Sequence, residues 1–183
     1  MKLRILAVAI AGVLLLALGG AYSSDDDSGG GELTLAGYFS ELEQLSQAFD
    51  SDLDAVITEA EASFDPHAPR DSEDEGIELF TDFVNNLRST TDDFVKDIDA
   101  LNAPAEASDA HDEAVAAGEA LVEMYDNAIT VLGSDTVKTF EQASLVLAGP
   151  GVIESQERFN ASCVALQGIA DSNGLDVDLA CPS

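Results

Sequence analysis

Between Ile77 and Leu101 the chain reads IELFTDFVNNLRSTTDDFVKDIDAL. Ile77, Phe80, Val84, Leu87, Thr91, Phe94, Ile98 and Leu101 recur there at steps of three and four. An α-helix turns once in about 3.6 residues, so this spacing gathers those side chains on one face. A half-buried strand would alternate with period two, and that pattern appears only at Leu175-Asp176-Val177-Asp178-Leu179.

The same spacing continues on both sides. Ahead of it lie Leu35, Tyr38, Leu42, Leu45, Phe49, Leu53, Val56 and Ala60. Behind it come Ala107, His111, Ala114, Gly118, Leu121, Tyr125, Ala128 and Leu132, then Val152, Gln156, Phe159, Cys163, Leu166 and Ala170. The punctuation between these seams agrees. Asp65-Pro66-His67-Ala68-Pro69 stops the first helix, because proline lacks an amide and restricts its predecessor. Asn102-Ala103-Pro104 is a short break with proline near a helix start, which predicts an antiparallel hairpin. Its register sets Gly118 opposite Leu87 and Arg88, Lys96 near Asp109 or Glu113, and Arg88 near Glu119. Gly133 can end the third helix and Ser134 can cap a short one at 135–148. Gly149-Pro150-Gly151 separates that piece from the last helix, and Asn173-Gly174 reads as a left-handed C-terminal cap. A single helix from Ser134 to Asn173 would be about 60 Å long, against roughly 40 Å for its neighbours, so the break is favoured. The predicted fold is all-α: an up-down four-helix bundle with a short extra helix and a disulfide-tied C-terminal tail.

Cys163 and Cys181 are the only cysteines. The predicted helix rises roughly 16 Å from Cys163 to Gly174, and the extended tail reaches back about 23 Å. The two thiols can therefore meet, with Leu175, Val177 and Leu179 turned towards the bundle. Their spacing is not Cys-x-x-Cys, which argues for a structural staple over a redox pair.

Residues 1–21 place Lys2 and Arg4 before an uncharged run that ends in Gly19, Gly20 and Ala21. They read as a secretory signal peptide or an N-terminal membrane anchor. Residues 22–32, containing Asp25-Asp26-Asp27 and three glycines, read as a flexible acidic linker. Residues 33–183 are the helical domain. The expected location is extracytoplasmic, with membrane contact only through the N-terminal segment if it is retained.

The chain of 183 residues carries 36 acidic and 7 basic side chains, for a net charge of −29. Clustered Lys and Arg are what hold phosphate, so nucleic acid is not an expected partner. The apolar fraction of 46% is too high for a disordered acidic tail. Such charge density suits a salty or cation-rich exterior, where screening relieves self-repulsion.

Candidate chemistry is sparse. Asp50, Asp52, Asp54 and Glu61 fall at calcium-loop positions one, three, five and twelve, but Ala55 stands where the loop turn wants glycine. A solvated acidic helix face explains them, and calcium (or iron) binding through surface carboxylates is the alternative. Asp171, Asn173, Asp176 and Asp178 form a second oxygen-rich group, which a helix cap followed by a strand explains. His111 sits on an inner stripe without the Glu-x-x-His pattern of a bundle metal site, since position 108 is Ser. Asn160-Ala161-Ser162 matches the N-glycosylation acceptor pattern. No nucleophile and base can be framed together, so no enzyme and no cofactor are expected. The stretch Ala161-Ser162-Cys163-Val164-Ala165-Leu166-Gln167, continued to Cys181, resembles exported prokaryotic helical proteins of unassigned function. The expected role is a binding or interaction module whose partner is an envelope or surface protein, or another copy of the chain.

Overall fold

The computed structural model describes residues 33–64 and 73–181. The N-terminal segment 1–21, the linker 22–32 and the proline loop with His67 lie outside the described residues. Among those described, the chain forms five helices and no strand. They are α1 (Leu35–Ser63), α2 (Glu73–Asp99), α3 (Ser108–Leu132), α4 (Phe140–Val146) and α5 (Pro150–Ser172).

Each helix starts and stops for a local reason. Thr34 caps α1, its hydroxyl accepting from the Gly37 amide at 3.1 Å. Three acids, Glu73, Asp74 and Glu75, occupy the first turn of α2, where the helix dipole favours negative charge. Gly149 precedes Pro150, whose fixed φ and missing amide suit the first position of α5. Gly174 takes φ +69° just beyond α5, a conformation that glycine adopts without steric cost. The short helix is smaller than the expected 135–148. Thr139 is its cap, accepting from the Gln142 amide at 3.2 Å, while the Ser134 hydroxyl is turned back to the Val131 carbonyl.

The long helices pack as sequence neighbours: α1 on α2, α2 on α3, α3 on α5, with α4 lying against α2 and α3. Because α2 and α3 each meet two long neighbours, they bury more than one stripe. Phe83 and Val95 are buried on α2 in addition to the predicted Phe80, Val84, Thr91 and Ile98. Ala117 and Val122 join the predicted set on α3.

The α2–α3 pairing departs from the expected register by about two helical turns. Gly118 faces Val95 rather than Leu87. Arg88 donates to Asp126 at 3.0 Å and to Asp92 at 2.7 Å, not to Glu119. Lys96 pairs with Asp92 on its own helix, and Glu113 takes Arg158 of α5 at 2.7 Å. The connection from Ala100 to Ala107, with Pro104 and Ala107 buried, is longer than the tight break implied.

The core has two centres. One gathers Phe64, Phe80, Phe83, Leu121, Tyr125 and Leu132 with Val152. The other gathers Tyr38, Phe39, Leu42, Ile98, Ala114, Leu166 and Leu179. Tyr38 and Phe39 are wholly buried, edge to face at 5.1 Å. The Tyr38 hydroxyl meets His111 Nδ1 at 3.1 Å, which satisfies two polar groups inside an apolar cluster.

Burial lowers the His111 pKa below the ordinary value of 6.5, while Asp112 and Asp99 act in the opposite direction. The unfolded chain therefore takes up this proton at a higher pH than the folded one. The stability from a neutral His111 is complete above the unfolded value and is lost as pH falls towards the folded one. A His111→Gln variant is expected to lose less unfolding free energy than the parent between about pH 7.5 and about pH 5.5. Equal losses of unfolding free energy in parent and variant, read from urea melts at the two pH values, would refute this account of His111.

Beyond Gly174 the tail is extended but is not a strand, because no neighbouring strand pairs with its backbone among the described residues. Its polar groups go to side chains instead. Gln167 of α5 donates to the Val177 carbonyl and accepts from the Leu179 amide, both at 2.9 Å. Glu43 of α1 accepts from the Asp178 amide at 2.9 Å. The tail thus bridges α1 and α5, with Leu179 3% exposed beneath it. The Cys163–Cys181 disulfide closes this arrangement, with the two Cα atoms 5.6 Å apart.

Candidate binding pocket

Helices α1 and α5 do not pack closely on each other. The tail fills the gap between them at the Tyr38–Glu43 level and ends its described course at Cys181. Farther along α1 the gap continues inward as a pocket of about 230 Å³. Four helices line it: Ser46, Phe49, Asp50 and Leu53 from α1; Leu87, Thr91 and Phe94 from α2; Ala114 and Tyr125 from α3; Gln156, Phe159, Asn160, Ser162 and Cys163 from α5. Leu179 and Ala180 of the tail line it as well.

The space exists because inward positions at this level carry short side chains. Ser46, Thr91, Ala114 and Ser162 are all buried, yet none reaches across the gap. The walls are effectively apolar despite the hydroxyls. Thr91 donates to the Leu87 carbonyl at 2.8 Å and Ser162 to the Phe159 carbonyl at 2.7 Å. Each hydroxyl hydrogen is spent on its own helix backbone. Tyr125 is deeply buried, which raises its phenol pKa against the opposing hydrogen bond from Gln156.

Three phenylalanines from three helices form one wall. Phe49 and Phe94 stack with centroids 4.3 Å apart, and both meet Phe159 edge-on, at 6.5 and 6.2 Å. All three rings are half-buried, consistent with a pocket that opens to solvent.

Asp50 is the one charged side chain among the described lining residues. Burial raises its pKa first, and the nearby carboxylates of Asp54 and Asp178 add to the effect. It has no hydrogen bond or ion pair among the described residues. The other members of the sequence-predicted acidic set, Asp52, Asp54 and Glu61, stand exposed on the same unbroken helix. Asp50 and Glu61 are roughly 16 Å apart along the axis by helical rise. Among the described residues no group of three or more His, Cys, Asp or Glu side chains is placed to hold a metal ion.

The second oxygen-rich group is dispersed into separate local contacts. Asp171 accepts from Gln167, the Asn173 amide donates to the Ile169 carbonyl, and Asp178 accepts from the Ala180 amide, each at 2.9 Å. Asn160 lies inside α5, half-buried at the pocket. The pocket itself was not foreseen. Its signal is the set of short residues on inner stripes, which acquires meaning only once the helices are known to bring them to one level.

No protein-family model, no curated protein and no solved structure matches the chain.

Proposed function

We propose that this chain is a non-catalytic binding module acting outside the cytoplasm, and that it takes a small apolar ligand into the pocket between α1 and α5. The carrying observation is that pocket: about 230 Å³ of largely apolar-walled space, open to solvent. Native interiors keep few voids larger than a water molecule, so retained space of this kind is the default binding-site hypothesis. An up-down order of the four long helices belongs to the same reading. It is supported by the pairing of Val95 with Gly118, of Phe49 with Phe94, and of Glu113 with Arg158.

Export is supported by the disulfide, since such bonds persist in oxidising compartments, and by the basic-then-apolar start of the chain. The absence of catalysis is supported by the pocket's chemistry. The Thr91 and Ser162 hydroxyls donate to their own helix backbone, and the single carboxylate has no base or nucleophile paired with it among the described residues. An envelope or surface component remains the expected setting for the bound state.

A neutral fluorescent naphthylamine tests the reading. The parent protein is expected to enhance its emission saturably at one site. Ser46→Phe projects a ring into the space and is expected to weaken binding at least tenfold, about 1.4 kcal/mol, with helical circular dichroism unchanged. Thr91→Met serves as a second filling variant from another helix. Absence of saturable binding by the parent, or undiminished binding by both folded variants, would remove the pocket as the site.

The charge makes a separate expectation. Arg88, Lys96, Lys138 and Arg158 all pair with carboxylates at the surface, and such pairs are individually weak. The whole chain still carries a net charge of −29. Raising salt from millimolar to about 1 M shrinks the screening length to about 3 Å, so the thermal midpoint is expected to climb by a few degrees. A flat midpoint across that range would speak against adaptation to a salty exterior.

A further inference from the structure

We propose that the pocket selects a small cationic amphiphile, with its apolar body against Phe49, Phe94 and Phe159 and its ammonium group at Asp50. This deepens the pocket reading given above and rests on it.

Three observations converge on that ligand class. First, the described lining contains no Lys, Arg or His, so an anionic head group such as a fatty-acid carboxylate has nothing to pair with. Second, its sole charge is Asp50, half-buried and free of protein partners among the described residues. Asp54 and Asp178 stand close enough to act on it electrostatically. A cation at this point relieves three mutually repelling carboxylates, whereas an anion adds a fourth charge of the same sign. Third, Phe49, Phe94 and Phe159, joined by stacking and edge contacts, line the same pocket as Asp50, so aromatic rings and the acid share one opening. Ring faces attract ammonium groups, most strongly where water is excluded.

Size sets the body. An apolar cavity of about 150 Å³ accommodates benzene, so about 230 Å³ suits roughly a naphthalene-sized group. A long acyl chain would not fit inside and would have to emerge.

The test uses three isosteric probes by calorimetry in about 0.15 M salt: 1-naphthylmethylamine, 1-naphthylmethanol and 1-naphthoate. The amine is expected to bind at least tenfold more tightly than the alcohol, and the carboxylate more weakly than the alcohol. Asp50→Asn is expected to cancel the amine's advantage over the alcohol. That variant removes a charge its neighbours disfavour, so it should fold at least as well as the parent. Asp52→Asn, on an exposed acid two residues along, is expected to leave all three affinities unchanged. An amine advantage that survives Asp50→Asn would assign the preference to the overall negative field and overturn the proposal. Equal affinity of amine and alcohol, with Ser46→Phe still blocking both, would overturn it while leaving the apolar pocket standing. Failure of all three probes to bind the parent would bring down both.

Discussion

Reduction of the Cys163–Cys181 bond is expected to lower the unfolding free energy by about 3 kcal/mol and the melting midpoint by roughly 6–12 °C. The bond spans 18 residues, and closing a loop of that size restricts the unfolded chain by about this amount. The folded state contributes further. The tail makes no ladder with a strand and relies on Gln167, Glu43 and the packing of Leu175, Val177 and Leu179 for its place. At Ala180 the backbone takes φ 52°, an uncommon conformation for a residue with a Cβ, as the chain turns Cys181 towards Cys163. Without the bond that conformation loses one of its restraints.

Cys163, Leu179 and Ala180 also line the pocket, so the reduced protein is expected to bind the neutral naphthylamine more weakly. Urea melts with and without reductant, compared with a Cys163→Ser, Cys181→Ser double variant, measure the effect. The two reduced forms should agree. A difference below about 0.5 kcal/mol between oxidised and reduced protein would mean that side-chain contacts alone fix the tail.

The four long helices were legible because each carries a seam at steps of three and four, and because Gly133, Gly149-Pro150 and Asn173-Gly174 mark boundaries by backbone chemistry that needs no tertiary context. The disulfide was legible from a lone pair of cysteines in a chain expected to be exported, together with the reach of the tail. Register was not. The eight residues from Ala100 to Ala107 could turn back at several points, and periodicity is the same after a slip of two turns. Phe83 and Val95 lie off the predicted stripe of α2, and only the presence of α1 on one side and α3 on the other buries them. The pocket was illegible for a related reason. It depends on how far α1 stands from α5, two helices distant in sequence, and on how Leu179 and Ala180 lie between them. Asp50 could be flagged as one acid among many, but its isolation at an apolar opening is a property of the assembled fold.

Replacing Gly118 tests the observed register directly. A Cβ at this position would run into Val95 Cγ2 and would lie 3.2 Å from Phe159 Cε2. Val95 is 5% exposed and β-branched, so it can yield only by leaving its favoured helical rotamer or by pushing α2 away. Alanine improves helix propensity over glycine by about 1 kcal/mol, and overpacking of this kind costs about 1–3 kcal/mol. Gly118→Ala is therefore expected to destabilise by up to about 2 kcal/mol net, and Gly118→Leu by about 3 kcal/mol or more. Gly168 supplies the contrast, since a Cβ there meets nothing within 4 Å. Gly168→Ala is expected to stabilise by about 0.5–1 kcal/mol through propensity and reduced freedom of the unfolded chain. Val95→Ala should open room for the new methyl group. In combination with Gly118→Ala it is expected to recover part of the loss, a coupling readable in a double-mutant cycle. Additive effects of the two substitutions would show that Gly118 does not face Val95, and the alignment of α2 with α3 would have to be redrawn.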